Sequence, residues 1–151
     1  MEFSLNTRGK WQDVEAAKEL LSEVENQYDL EVRRFVQNGP IYVLETSSGR
    51  KALKESYLSQ FELEYITHSL ADLNKQGFQS VVVPLKGSDG ARFFRWEDSH
   101  YLLMDWVRGR HCDYLMENDA LMVAKALARL HGASRNIRFD PVPDTRWLLG
   151  V

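Results

Sequence analysis

Lys54 stands two residues beyond Ala52, a spacing that puts an ammonium and a small side chain on one face of a β-strand. A small side chain leaves room for a flat ring, and a fixed ammonium holds an anion, so the pair suits a ring that carries phosphate. Further along, Tyr101 to Met104 forms an apolar strand that leaves a sheet through Asp105-Trp106-Val107-Arg108-Gly109. A strand that ends in a connector offers an apolar slot with a backbone donor and acceptor at its edge. Together the two strings describe a nucleotide cleft between two lobes, and the chain stops before the chemistry would be assembled.

The elements that must position these residues follow from periodicity. Trp11 to Gln27 reads as a helix, with Val14, Ala17, Leu20, Leu21 and Val24 on one face, and as packing rather than chemistry. Leu30 to Val36, Ile41 to Leu44 and Lys51 to Glu55 read as three short strands of an antiparallel meander. The turns between them are Gln37-Asn38-Gly39-Pro40 and Ser47-Ser48-Gly49. A single glycine in the first turn makes it an ordinary hairpin before a phosphate cradle.

Gln60 to Lys75 is the second helix, with Leu63, Ile66, Leu70 and Leu73 on one face and Gly77 as its stop. Glu62 lies at the margin of that face, where a carboxylate costs free energy unless a cation meets it. Either Lys54 is that cation or Glu62 reaches solvent past the edge of the stripe; Glu64 points away as a surface charge. Val81-Val82-Val83 and Arg92 to Arg95 read as strands around a Gly87-Ser88-Asp89-Gly90 turn, and Glu97-Asp98 as the loop before the strand from Tyr101 to Trp106. After the polar Arg108-Gly109-Arg110, Asn118 or Asp119 caps a helix to about His131. That helix is apolar almost all round and belongs at the centre of a helical body, much of which is missing. Pro141 and Pro143 follow in a stretch with little periodicity.

Composition narrows the field. The 151 residues are 44% hydrophobic and 27% charged, with a net charge of −3, which speaks against nucleic acid or an anionic membrane as the main partner. No run reaches the ~20 apolar residues of a membrane helix, and the N-terminus lacks a signal-peptide pattern. The lone Cys112 excludes an internal disulfide and fits a reduced, cytoplasmic setting. His68, His100 and His111 show no metal spacing, and His111-Cys112 is too short a signal for zinc. Neither a strand-elbow serine nor a dinucleotide fingerprint is present.

The order of elements predicts an α+β fold: a kinase-like small lobe with a five-stranded antiparallel sheet, one crossing helix and a preceding N-terminal helix. A hinge and the first helix of an incomplete second lobe follow, dividing the chain into residues 1–106 and 107–151. Ala52-Leu53-Lys54 resembles the strand-three lysine motif of kinases, and Met104-Asp105-Trp106-Val107-Arg108-Gly109 resembles their hinge. By that resemblance Met104 lies at the back of the adenine slot, and the Asp105 carbonyl and Val107 N–H face the base edge.

More narrowly, the chain resembles the aminoglycoside/choline phosphotransferase-like branch, and within it the spore coat family typified by CotS. The residues that carry this are Tyr28-Asp29-Leu30-Glu31-Val32, Leu73 through Phe78, Asp105 through Arg110, and Leu127-Ala128-Arg129-Leu130-His131-Gly132-Ala133-Ser134. The resemblance implies ATP with magnesium as cofactors, bound weakly, and a spore coat association. The catalytic loop of such enzymes, with an Asp base, an Asn and a second Asp for magnesium, is not in this sequence. Ala133 stands where His131 and Asn136 would need that Asp between them, and His131 reads as a buried structural histidine.

Three functions therefore compete. The chain is the N-terminal part of a kinase-like protein that holds nucleotide and transfers nothing by itself. Alternatively it is a non-catalytic module that self-associates or docks a protein partner through the last helix. A small hydrolase of another class is the third, without a nucleophile–base pair to support it.

Overall fold

The computed structural model describes residues 2–3, 14–38 and 41–137. The expected helix start at Trp11, the turn at Gly39-Pro40 and the prolines at 141 and 143 lie outside the described residues. The elements run β1 (Glu2–Phe3), α1 (Val14–Tyr28), β2 (Val32–Asn38), β3 (Ile41–Thr46), β4 (Gly49–Ser56), α2 (Gln60–Lys75), β5 (Phe94–Trp96), β6 (Ser99–Asp105) and α3 (Glu117–Ser134). Described strands form one sheet in the order β1-β2-β3-β4-β6-β5. Every pairing is antiparallel except β1 with β2, which adds a short parallel edge to the five expected strands.

The residues divide into two compact units, one of the segment up to Leu58 with Pro84–Trp106, the other of Ser59–Val83 with the segment from Val107. The first holds the sheet and α1. Because side chains alternate along a strand, Tyr42 and Leu44 of β3, Leu53 of β4, and Tyr101 and Leu103 of β6 share one face. There they form a core with Leu20, Leu21 and Val24 of α1. Leu21, Leu44, Leu53 and Leu103 are fully buried, each contributing roughly 2 kcal/mol of apolar burial. Phe94 stacks on Tyr101 at 5.7 Å between ring centroids, and Tyr28 meets Phe94 edge-on at 6.1 Å. The same burial pushes the Tyr28 and Tyr101 hydroxyls up to about 12.

The end of α1 is tied to the 87–90 turn. Ser88 N–H donates to the Gln27 carbonyl at 2.7 Å, and a Cβ on Gly87 would stand 3.3 Å from that oxygen, so glycine permits the approach.

The expected strand at Val81–Val83 is absent; these residues carry no ladder. Pro84, buried and without an N–H, follows the run directly and cannot extend a ladder. The backbone touches the sheet once here, where Leu85 N–H donates to the Leu103 carbonyl at 2.8 Å. The next strand starts later than predicted, at Phe94.

In the second unit, α2 keeps its expected bounds. Its end is a Schellman motif: Gly77 N–H donates to Asn74 O, Phe78 N–H to Leu73 O, and Gly77 adopts φ +89°. Helix α3 departs from expectation at its start and in its burial. Met116 occupies the N-cap and makes no side-chain cap bond. Among its described residues Asp119 alone is buried, while Leu121, Met122 and Leu127 are exposed.

Candidate functional site

The register of the sheet brings most of the sequence-predicted residues together. Ala52 on β4 is directly opposite Val43 on β3 and Met104 on β6, and Lys54 is opposite Ile41 and Leu102. These rows lie on the face away from α1, because Ala52 and Lys54 alternate with the buried Leu53. Ala52 and Met104 are half-buried and Lys54 is exposed. A small residue and a thioether therefore form neighbouring parts of one floor, with an ammonium one row further along. No hydrogen bond or ion pair engages the Lys54 amine among the described residues.

The next row on that face is Arg50 and Trp106. Trp106 N–H donates to the Arg50 carbonyl at 3.1 Å, and the Arg50 guanidinium lies 6.0 Å from the Trp106 ring centroid. Glu45 accepts from Arg50 Nε at 2.6 Å. On the opposite face, Lys51 and Asp105 form a cross-strand pair, with Nζ 2.6 Å from Oδ1 and 3.0 Å from the Ser48 carbonyl. Asp105 thus turns its side chain to the covered face. Sequence reading missed Lys51. The signal was its alternation with Leu53, which puts a lysine in a core row where only a carboxylate can make it tolerable.

Glu62 and Val107 belong to the second unit. The carboxylate that the sequence offered either to Lys54 or to solvent is engaged within its own helix. Ser59 N–H and Oγ both donate to Glu62 Oε2 at 2.7 Å, and Glu62 N–H donates to Ser59 Oγ at 3.3 Å, a complete capping box. These bonds hold the Glu62 carboxyl below the usual carboxylate range. The Ser-x-x-Glu spacing ahead of an apolar helix was the overlooked signal. Glu64 accepts from Gln60 Nε2 at 2.8 Å on the exposed side, in keeping with its expected surface role. Val107 is exposed on the connector.

Beyond Val107, Arg110 grips Asp119 with two bonds of 2.6 and 2.8 Å, and Asp113 N–H adds a third of 2.9 Å. The guanidinium first, then that N–H, hold the Asp119 carboxyl below its ordinary range. Asp119 therefore organises the connector from inside the first turn of α3 instead of capping it. His131 is exposed in the last turn of α3, which corrects its reading as a buried histidine. Among the described residues no group of three metal-ligating side chains occurs, and no helix is long and apolar enough to cross a membrane.

The sequence matches no family model and no curated protein. Its structure is similar to an aminoglycoside phosphotransferase from Alicyclobacillus acidocaldarius subsp. acidocaldarius DSM 446, with TM-score 0.70, 27% identity, and coverage of 82% of this chain and 38% of that one. A spectinomycin phosphotransferase in complex with ADP and spectinomycin matches with TM-score 0.60 and 15% identity, covering 86% of this chain and 43% of that chain. An amicoumacin kinase in complex with AMP-PNP and Ca2+ matches with TM-score 0.61 and 17% identity over 91% and 46%. The chain shares the α+β fold of aminoglycoside phosphotransferase-like kinases. It spans less than half the length of each of these structures.

Proposed function

We propose that this chain is the nucleotide-binding part of a kinase-like phosphotransferase and binds ATP weakly, with magnesium, on the sheet face away from α1. The observation that carries the reading is the pairing of Ala52 with Met104 in one row and Lys54 in the next. Base and phosphates then have separate supports a short distance apart along β4. In this reading Ala52 and Met104 floor the adenine, the Asp105 carbonyl and Val107 N–H meet its edge, and Lys54 holds the phosphates. Glu62 contributes by fixing the start of α2. The ADP and AMP-PNP named for two of the similar structures support a nucleotide as ligand.

Phosphoryl transfer needs an Asp base and a metal-binding Asp, neither of which this sequence supplies, so the chain alone transfers nothing. Calorimetric titration with Mg–ATP tests the binding: a dissociation constant on the order of 0.1–1 mM is expected. No binding at several millimolar overturns the reading, as does turnover above background by the isolated chain.

A second reading, a docking module, is favoured by the exposed Tyr114, Leu115 and Met122 on the connector and α3. An apolar surface of this kind seeks cover, from a protein partner or a second copy, and the resemblance to a spore coat family supports a coat as the setting of such a module. A monomer by sedimentation that binds no hydrophobic dye counts against it.

A further inference from the structure

The end of β6 is clamped more firmly than a strand leaving a sheet requires. Past the last register pair, Lys51 with Asp105, the ladder continues for one more bond, from Trp106 N–H to the Arg50 carbonyl. A terminal rung of this kind ordinarily frays, because nothing beyond it holds the strands together. Here both faces hold it. On the covered face the Lys51 ammonium, on a side chain only 9% exposed, binds Asp105 Oδ1 and the Ser48 carbonyl. On the other face the Arg50 guanidinium lies over Trp106 and is itself fixed by Glu45. Packing alone would be met at position 51 by an apolar side chain. What the ammonium adds is a directed bond to the residue at which the connector begins.

We propose that Lys51 is a positioning residue for the nucleotide site: its bond to Asp105 fixes the backbone at the strand end that meets the base. This rests on the nucleotide reading above. Two backbone groups at the edge of a base give useful affinity only if their directions are set before binding, since ordering them on binding subtracts from it. Lys54 and Lys51 then divide the work along one strand. One holds the ligand, and the other holds the backbone that recognises it.

Lys51→Met tests this cleanly. It keeps an unbranched stem in the core and leaves Asp105, with 66% of its side chain exposed, to water, so no buried charge is stranded. Amide exchange by NMR and ADP titration are measured on the full chain. The Trp106 amide is expected to exchange at least tenfold faster, with the amides of Leu44 and Leu53 unchanged. ADP affinity is expected to fall about tenfold through the lost ordering, and Asp105→Asn should shift both readouts in the same direction. Unchanged Trp106 exchange in Lys51→Met overturns the proposal, and so does faster exchange with ADP affinity intact. A wild-type chain that binds no ADP refutes the nucleotide reading itself and this positioning role with it. The exchange result then reports only whether Lys51 orders the strand end.

Discussion

Alternate residues of β4 build two unlike surfaces. Lys51 and Leu53 face α1, where Leu53 is fully buried and Lys51 is paired; Ala52 and Lys54 face the other way, where one is half-buried and the other exposed. Two lysines three residues apart therefore have opposite environments, decided by the two-residue period of a strand alone. The covered face is buried and largely apolar, with Lys51 paired to Asp105. The other face combines small, polarisable and cationic groups in successive rows. A lysine motif in a sequence points to chemistry only after its face of the strand is known.

Substitutions separate the two faces, the largest effect first. Leu53→Ala opens a cavity in the covered core and should lower unfolding stability by about 3 kcal/mol, read by chemical denaturation. A loss below about 1 kcal/mol would mean that this face is not the core. Lys54→Ala, on the opposite face, should change stability by less than about 0.5 kcal/mol. The same variant should weaken ATP binding about tenfold, equivalent to about 1.4 kcal/mol, and leave adenosine binding unaltered. The reverse pattern, intact binding with a marked loss of stability, would make Lys54 structural and erase the contrast.

Two smaller effects sharpen the comparison by moving to the helical unit, where ionisable groups support helix ends. Ser59→Ala removes the hydroxyl from the α2 capping box, leaving only the backbone N–H bond to Glu62, and should cost about 1 kcal/mol by thermal or chemical denaturation. Asp119 titrates below its ordinary range when folded. Its contribution is thus present above the unfolded value near ~4 and is lost as pH falls through the folded value. Circular dichroism from pH ~5 downward should show helix loss that Asp119→Asn no longer displays. An unaltered acid profile in that variant would remove Asp119 as the anchor of α3.

Helix α2 was legible to the residue because an apolar stripe and a Gly after it agree. The meander was legible from its short alternating runs and turns. Val81–Val83 misled because β-branched composition signals strand, whereas strand formation needs a free edge and an N–H, which Pro84 lacks. Glu62 remained open between Lys54 and solvent in the sequence because Ser59, three residues before it, was not recognised as its partner. Lys51 escaped notice because its alternation with Leu53 marks the face it shares but not its partner, a carboxylate on a strand far along the chain. His131 was read from the apolar residues around it, yet burial depends on what packs against a helix.

The leading helix changes how this chain can be shortened. With Leu20, Leu21 and Val24 removed, Leu44, Leu53 and Leu103 would meet water together, and a sheet wetted on that side would aggregate. Any trimmed version used for crystallography or binding work must therefore retain the segment Val14–Tyr28 as an integral layer of the molecule.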